Sequence, residues 1–178
     1  MCIRDSPGAA SRRPAAERNR DWKDILDAVK WAKQHYRVDH SRIYLTGVSG
    51  GGHMTMLMAG RHPDVWTAAS AWVGISDLEK WHDRHKQSRY GDMIRKSCGG
   101  APGINAKIDA QYQARSPIGF LHQATKLPLD IVAGIHDGHT GSVPISHSLL
   151  AFNQIASATN DPLISALEIK QLSTPTGR

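Results

Sequence analysis

One serine in this sequence stands in a setting typical of a catalytic nucleophile. Ser49 lies between Gly47 and Gly51 in a Gly-x-Ser-x-Gly motif, after a short apolar run and before a helical pattern at residues 54–61. A serine hydroxyl is a weak nucleophile, so it must be exposed, held rigid and placed beside a base. A sharp strand-to-helix turn provides this, and glycine on both sides brings no Cβ into the crowded turn. The motif therefore predicts Ser49 as a nucleophile.

The residue after this serine has a predicted role of its own. A helix that begins at the turn directs its first N–H groups toward the place where an oxyanion would develop. Gly50 directly follows Ser49 and is the expected donor of one such N–H. A glycine-rich phosphate loop is the alternative interpretation, but neither the P-loop spacing with its lysine nor Gly-x-Gly-x-x-Gly in a full βαβ unit is present.

The elements around the motif alternate between helix and strand. Apolar residues at three- and four-residue steps predict helices over residues 20–36 and 143–155. Apolar runs predict buried strands at residues 42–46, 67–73 and 128–134. Because strands alternate with helices, the sequence predicts the α/β class, with a mostly parallel sheet and helices on both faces.

Three polar residues directly follow the predicted strands, namely Ser49, Asp77 and Asp137. Ligands of parallel sheets bind beyond the carboxyl ends of the strands, so we expect these residues at one edge of the sheet. Between them, residues 78–123 combine polar helical pieces with a Gly/Pro loop and are predicted to form a lid-like insertion.

The two ends of the chain differ in composition. Residues 1–18 are rich in Ala, Arg, Pro and Ser without periodicity, which predicts disorder. Their first six residues resemble a translated sequencing adapter, so we expect this tail to be non-native. Residues 19–178 are predicted to form one partial catalytic domain.

Several of these stretches together resemble the α/β-hydrolase fold, and within it the catalytic domain of the prolyl oligopeptidase-type serine peptidases and their esterase relatives. The resemblance covers about residues 20–158 and rests on residues 42–52, on Ser116-Pro117, and on Gly134, Asp137 and Val143-Pro144. It implies that Ser49 is the nucleophile, Asp137 the triad acid and Gly50 one oxyanion donor.

The sequence departs from that family at both ends. In this fold the triad runs serine, acid, histidine along the chain, and the histidine follows the last strand. His139 and His147 come after Asp137, but neither follows another predicted strand. The strands that should precede residue 20, with the loop that supplies a second oxyanion N–H, are also missing. We therefore expect a fragment cut at both ends, inactive by itself, whose catalytic histidine lies elsewhere.

Other residues compete for these roles. Asp77 is an alternative acid, or else the N-cap of a helix over residues 78–86. His139 is an alternative base, although it lies too near Asp137 in the chain for the usual triad geometry. His53 is expected to pack against the lid or sheet, and His136 to be a locally bonded loop residue. His147 is expected on the solvated side of its helix.

The remaining signals are weaker. His82 and His85 share a helix face, and His136 and His139 flank Asp137, but no third ligand is evident; we predict no metal and no cofactor. The tryptophans, Trp22, Trp31, Trp66, Trp72 and Trp81, are expected mostly in the core, with Trp72 and Trp81 as candidates to line a substrate pocket. Of the two cysteines, Cys2 lies in the tail, so no disulfide with Cys98 is predicted.

Composition argues against a nucleic-acid-binding protein and against a membrane-spanning one. The net charge of +6 is divided between the tail and residues 80–96, so it forms no contiguous nucleic-acid face. No apolar run approaches the length of a membrane span. The leading prediction is a serine hydrolase that forms an acyl-enzyme with small peptide or carboxylic ester substrates. A carbohydrate or acyl esterase of the same fold, and a non-catalytic α/β binding domain, are the alternatives; the sequence leaves the oligomeric state and compartment open.

Overall fold

A parallel sheet forms the centre of the computed structural model, which describes residues 21–176. Its strands are β1 (Tyr44–Val48), β2 (Ala68–Trp72) and β3 (Leu129–Val132), in the order β1-β2-β3. The register places Val48 beside Trp72 and Trp72 beside Val132, so all three strands end at the same level. The expected α/β class is confirmed, and the tail predicted as disordered lies outside the described residues.

This part of the chain contains seven α-helices. They are α1 (Asp21–His35), α2 (Gly50–Arg61), α3 (Leu78–His85), α4 (Arg89–Cys98), α5 (Ala106–Arg115), α6 (Ser146–Thr159) and α7 (Ala166–Leu172). Short 3-10 turns lie at Pro63–Val65, Pro117–Gly119 and Leu121–Gln123. Among the described helices, none is long and apolar enough to cross a membrane.

One face of the sheet carries the core. Side chains alternate across a strand, and the inward positions of β2, Ala69 and Ala71, are buried together with Met56 and Met58 of α2. Small residues at these positions let α2 approach the sheet closely. Apolar residues of α1 and α6 join the same clusters.

The opposite face of the sheet is open in residues 21–176. Tyr44, Val48 and Trp72 occupy the alternate strand positions, and their side chains are 62%, 66% and 46% exposed. We expected helices on both faces of the sheet, but within residues 21–176 they cover only the inward face. Helices α1, α2 and α6 all pack against the buried side chains of that face.

The predicted insertion at residues 78–123 is helical and has a core of its own. Helices α3, α4 and α5 surround a buried cluster made of Ile75, Leu78, Trp81, Ile94, Cys98, Tyr112 and Val143. Cys98 is a free, buried thiol. Because Val143 comes from the chain after β3, this cluster joins the helical segment to the loop that carries Asp137.

Candidate active site

Ser49 occupies a strained turn between β1 and α2. Its backbone has φ 58° and ψ −115°, a conformation that costs about 1–3 kcal/mol for a residue with a side chain. Its N–H donates to the Trp72 carbonyl at 2.8 Å, and its carbonyl accepts from the His53 N–H at 2.9 Å. The side chain is exposed and makes no capping bond to α2. The turn thus holds a free hydroxyl rigidly at the edge of the sheet.

The strain extends to the neighbouring strand end. Val73, directly after β2, has φ 48°, which is an outlier for a β-branched residue. Its N–H donates to the Val132 carbonyl at 2.7 Å. Two strained residues side by side at one sheet edge are typical of a functional centre.

The glycines around Ser49 differ in whether a side chain would fit at their positions. A Cβ on Gly47 would lie 2.3 Å from the Gly51 carbonyl oxygen, so only glycine fits. A Cβ on Gly51 would meet nothing within 4 Å, so the expectation that the turn needs glycine at this position to avoid crowding is wrong. The second sterically required glycine is Gly52, where a Cβ would lie 2.4 Å from the Trp72 carbonyl oxygen. In the sequence, Gly52 is one more residue of a glycine run, without a signal of its own.

Gly50 is the first residue of α2, four positions earlier than the apolar pattern predicted. The first N–H groups of a helix have no partner within it and form its positive end. The first turn of α2 contains no acidic residue that would neutralise this end. The position of Gly50 therefore suits an oxyanion donor.

Asp137 lies in the segment 133–145, which we call the acid loop. The Asp137 N–H donates to the Gly134 carbonyl at 3.0 Å, and its Oδ2 accepts from the Gly134 N–H at 2.5 Å. Gly138 follows with φ 86°, and a Cβ there would lie 2.5 Å from Pro144 Cα. A tight local turn thus fixes the half-buried carboxylate and leaves Oδ1 for another partner.

Helix α3 holds the acid loop through backbone carbonyls. Trp81 Nε1 donates to the Ser142 carbonyl at 2.9 Å, and His85 Nε2 lies 2.6 Å from the same oxygen. A carbonyl only accepts, so His85 carries its proton on Nε2. Arg84 donates to the Gly138 carbonyl. The sequence pattern did not indicate any of these contacts.

Ser49 and Asp137 leave the same edge of the sheet, with β2 between their strands. Adjacent strands lie about 4.8 Å apart, so the chains leaving β1 and β3 are separated by about 10 Å. An imidazole with a hydrogen bond of about 2.6–3.2 Å on each side spans a gap of this order. The spacing of the strands that lead to Ser49 and Asp137 is therefore compatible with a side chain between the two residues.

The alternative acid, Asp77, serves as a helix cap. Its Oδ1 accepts from the backbone N–H groups of Glu79 and Lys80 at 3.1 Å each. Its Oδ2 lies 3.7 Å from Lys80 Nζ. Since one oxygen caps α3 and the other faces a lysine, Asp77 is less available than Asp137 to orient a histidine.

Two histidines pack against neighbouring segments: His53 is half-buried and His147 is buried. His53 packs against the predicted insertion, as expected, with Nε2 donating to the Arg115 carbonyl at 2.7 Å; burial lowers its pKa. The expectation that His147 is solvated is wrong, because only 4% of this residue is exposed. Its Nδ1 lies 3.3 Å from Ser76 Oγ, and burial lowers its pKa to about 4. The first turn of α6 packs onto the β2–α3 connection, which an isolated helical pattern does not reveal.

Three other histidines differ in their surroundings. His139 Nε2 lies 3.0 Å from the Ser173 carbonyl, His136 is exposed, and buried His82 lies 3.2 Å from Arg95 Nη1. In residues 21–176, no three His, Cys, Asp or Glu side chains are grouped so as to hold a metal.

The tryptophans divide between core and surface. Trp66 and Trp81 are 6% and 7% exposed, as expected for core residues. Trp31 and Trp72 are 48% and 46% exposed, so the core expectation is wrong for these two. Trp72 ends the middle strand beside Ser49, and its Nε1 donates to Ser70 Oγ at 2.9 Å on the open face.

Sequence comparison gives one family and a set of relatives. Residues 15–168 match the profile of the prolyl oligopeptidase family. An uncharacterized peptidase of Bacillus subtilis, YtmA, is 30% identical over 130 residues, which are 73% of this chain and 47% of YtmA. An acetylxylan esterase of Coprinopsis cinerea is 40% identical over 56 residues, which are 32% of this chain and 15% of the esterase. The chain thus spans less than half of either relative.

Solved structures give the same fold. An acylaminoacyl peptidase of Pyrococcus horikoshii superposes with a TM-score of 0.67 at 22% identity, covering 85% of this chain and 23% of the peptidase. A puromycin-hydrolyzing peptidase of Mycobacterium tuberculosis superposes with a TM-score of 0.65 at 23% identity, covering 78% of this chain and 20% of that enzyme. The three-stranded sheet and its helices therefore correspond to part of an α/β-hydrolase domain.

Proposed function

Because this chain belongs to the prolyl oligopeptidase family, we propose that Ser49 is the nucleophile of a serine hydrolase that cleaves peptide or carboxylic ester bonds. The observation that carries the proposal is the turn between β1 and α2. It combines an exposed hydroxyl, a left-handed serine backbone and the positive end of a helix. Such strain persists only where the surrounding structure enforces it, and it clusters at active sites.

In the proposed reaction, Ser49 Oγ attacks the carbonyl carbon of the substrate while a histidine takes the hydroxyl proton. Asp137 accepts a hydrogen bond from that histidine and stabilises the imidazolium that forms. The Gly50 N–H donates to the oxyanion, in the field of the α2 dipole. The histidine then returns the proton to the leaving group, and water releases the acyl group from Ser49.

We further propose that this histidine lies outside the described residues. Three of the nearby histidines already have partners: Arg115 for His53, Ser173 for His139, and Ser76 for His147. His136 is exposed and directly precedes Asp137, too near in the chain for the usual triad geometry. His147 is in addition almost completely buried. By this proposal the 178-residue chain alone has no Ser49-dependent turnover.

Peptide bonds are the first candidate substrate because the family and the relative that covers most of the chain are peptidases. Acyl esters are the second candidate, favoured by the 40% identity over 56 residues with an acetylxylan esterase. The proposed chemistry is the same for both, since an acyl-enzyme on Ser49 forms from either bond.

A missing base can be replaced from solution, and this tests the nucleophile directly. The 178-residue chain is incubated with p-nitrophenyl acetate, with and without added imidazole, and acetylation of Ser49 is followed by peptide mass spectrometry. Imidazole is expected to promote acetylation of Ser49, because it supplies the general base. The matched controls are Ser49→Ala, which removes the hydroxyl, and Ser157→Ala, which removes an exposed serine of α6.

Each result bears on a separate part of the proposal. Acetylation of Ser49 with imidazole, absent from Ser49→Ala, supports the nucleophile. Ser49-dependent turnover without imidazole contradicts the external base and returns His139 to that role. A folded chain whose Ser49 stays unmodified under both conditions contradicts the hydrolase and favours the non-catalytic binding domain.

A further inference from the structure

A cavity of about 250 Å³ lies behind the acid loop, between α3 and the first turn of α6. We call it the α6 cavity. Its polar lining comes from Lys80, Arg84, Asp137, His139, Ser146, His147 and Ser173. The proposed hydrolysis uses only Asp137 from this set, so the other groups need a separate explanation.

The amino end of α6 opens into this cavity without a cap. Helix α6 is 14 residues long, no side chain caps it at Ile145, and its first turn contains no acidic residue. The His147 and Ser148 N–H groups donate to the Pro144 and Ile145 carbonyls at 3.0 and 2.9 Å, so the Ser146 N–H is the donor of this helix end that remains for an anion. Ser146, the first residue of α6, lines the cavity.

His147 provides a second and independent indication of a ligand. The residue is only 4% exposed, and its ring lines the cavity. Its Nδ1 accepts from the backbone N–H groups of Ser76 at 3.3 Å and Asp77 at 3.4 Å, so the proton is on Nε2. Within residues 21–176, Nε2 has no hydrogen-bond partner. A ligand oxygen in the cavity would supply the acceptor for this N–H.

The charge of the His147 ring is also defined. Burial lowers its pKa to about 4, so at neutral pH the ring is an uncharged donor. Ser173 adds a buried hydroxyl without a partner in the described part of the chain. Both groups can donate to an oxygen in the cavity.

Positive side chains outnumber negative ones in the cavity wall. Lys80 and Arg84 of α3 oppose the single carboxylate of Asp137, one oxygen of which already accepts from the Gly134 N–H. Lys80 Nζ lies 3.7 Å from Asp77 Oδ2, a spacing that leaves its other protons free. The lining therefore contains hydrogen-bond donors from α3, from α6 and from Ser173.

We propose that the α6 cavity binds a small oxyanion, held by the Ser146 N–H, His147 Nε2–H and the cations of α3. Inorganic phosphate and the carboxylate of a small acid share this chemistry. The site is separate from the proposed hydrolysis, because anion binding requires neither Ser49 nor an external histidine.

The test is a titration of the full 178-residue chain with phosphate or acetate, followed by ¹H–¹⁵N NMR. Saturable shifts of the Ser146 and His147 amides and of the His147 Nε2–H are expected. Arg84→Gln should weaken binding about tenfold and Lys80→Gln about threefold, as expected for loss of a charged hydrogen bond and an exposed cation. Asp137→Asn should tighten it, because a like charge is removed. Lys86→Gln, an exposed lysine outside the cavity, is the matched control.

The two anions and a Ser49 variant separate the outcomes. Tighter binding of phosphate than acetate assigns the site to phosphate, and the reverse assigns it to a carboxylate. Unchanged binding in Ser49→Ala shows that the site is independent of hydrolysis. Absence of saturable shifts at Ser146 and His147, or equal affinities in Arg84→Gln, Lys80→Gln and Lys86→Gln, would overturn the proposal.

Discussion

The nucleophile turn and the acid loop are held in place by different means. Ser49 is positioned by a close contact within its own turn, which requires Gly47, and by the end of β2, where Trp72 lies against Gly52 and accepts from the Ser49 N–H. Asp137 is positioned in part by its own turn and in part by Trp81 and His85, more than fifty residues earlier. Backbone packing against the neighbouring strand therefore sets the first region, and side-chain hydrogen bonds from a distant helix help to set the second.

The largest effect should come from breaking the nucleophile turn. Gly47→Ala places a Cβ 2.3 Å from the Gly51 carbonyl oxygen, so the turn must open. We expect a loss of about 3 kcal/mol in the free energy of unfolding, measured by urea titration. Gly51→Ala is the matched control, because its Cβ meets nothing within 4 Å and alanine favours a helix. Equal losses in both variants would contradict the steric account.

The free energy of unfolding should depend on pH through His147, which lies beyond the acid loop at the start of α6. Its pKa is about 4 in the folded protein, below the ordinary value of 6.5, so the unfolded state binds more protons between these values. Stability should therefore be complete above about pH 6.5 and fall toward pH 4, by up to about 3 kcal/mol from this residue. Asp77 opposes the shift, whereas Lys80, Arg84 and His85 add to it.

Urea unfolding at several pH values measures this dependence. His147→Gln should reduce the slope between pH 4 and 6.5 by about one proton, because glutamine does not titrate. Gln34→Ala, at an exposed position of α1, is the control, because it removes no titratable group. A His147→Gln slope equal to that of the parent chain would rule out His147 as the source.

A smaller effect is expected from one tether of the acid loop. Trp81→Phe keeps the buried ring but removes the hydrogen bond to the Ser142 carbonyl, at a cost of about 1 kcal/mol. Hydrogen exchange should become faster in residues 136–142 and stay unchanged in α2. Trp31→Phe, which changes an exposed ring on α1, controls for the substitution itself. Faster exchange in α2 as well would indicate a general loss of stability rather than a released loop.

Patterns in the sequence were sufficient for the elements and their order. The apolar runs predicted all three strands within a few residues, and alternation with helices predicted the parallel sheet that the structure confirms. Strand and helix ends shifted, since β1 begins at Tyr44 rather than at residue 42 and α2 begins at Gly50 rather than at residue 54. Glycines carry no apolar signal, so a pattern cannot register a helix that begins with three of them.

Sequence patterns could not predict the contacts between segments that are distant in the chain. The burial of His147 and the links from α3 to the acid loop depend on how α3 and α6 meet beyond the sheet. The roles of Ser49, Gly50 and Asp137 in catalysis remain predictions. The exposure of Trp72 follows from which sheet face the helices cover.

The sequence alone determined where the chain turns sharply around a serine, because that geometry depends on a few neighbouring residues and their missing side chains. Only the tertiary structure decided which polar groups share a cavity, which histidines are buried and which face of the sheet stays open. Those properties depend on side chains brought together from segments far apart in the chain, and a periodic pattern describes one segment at a time.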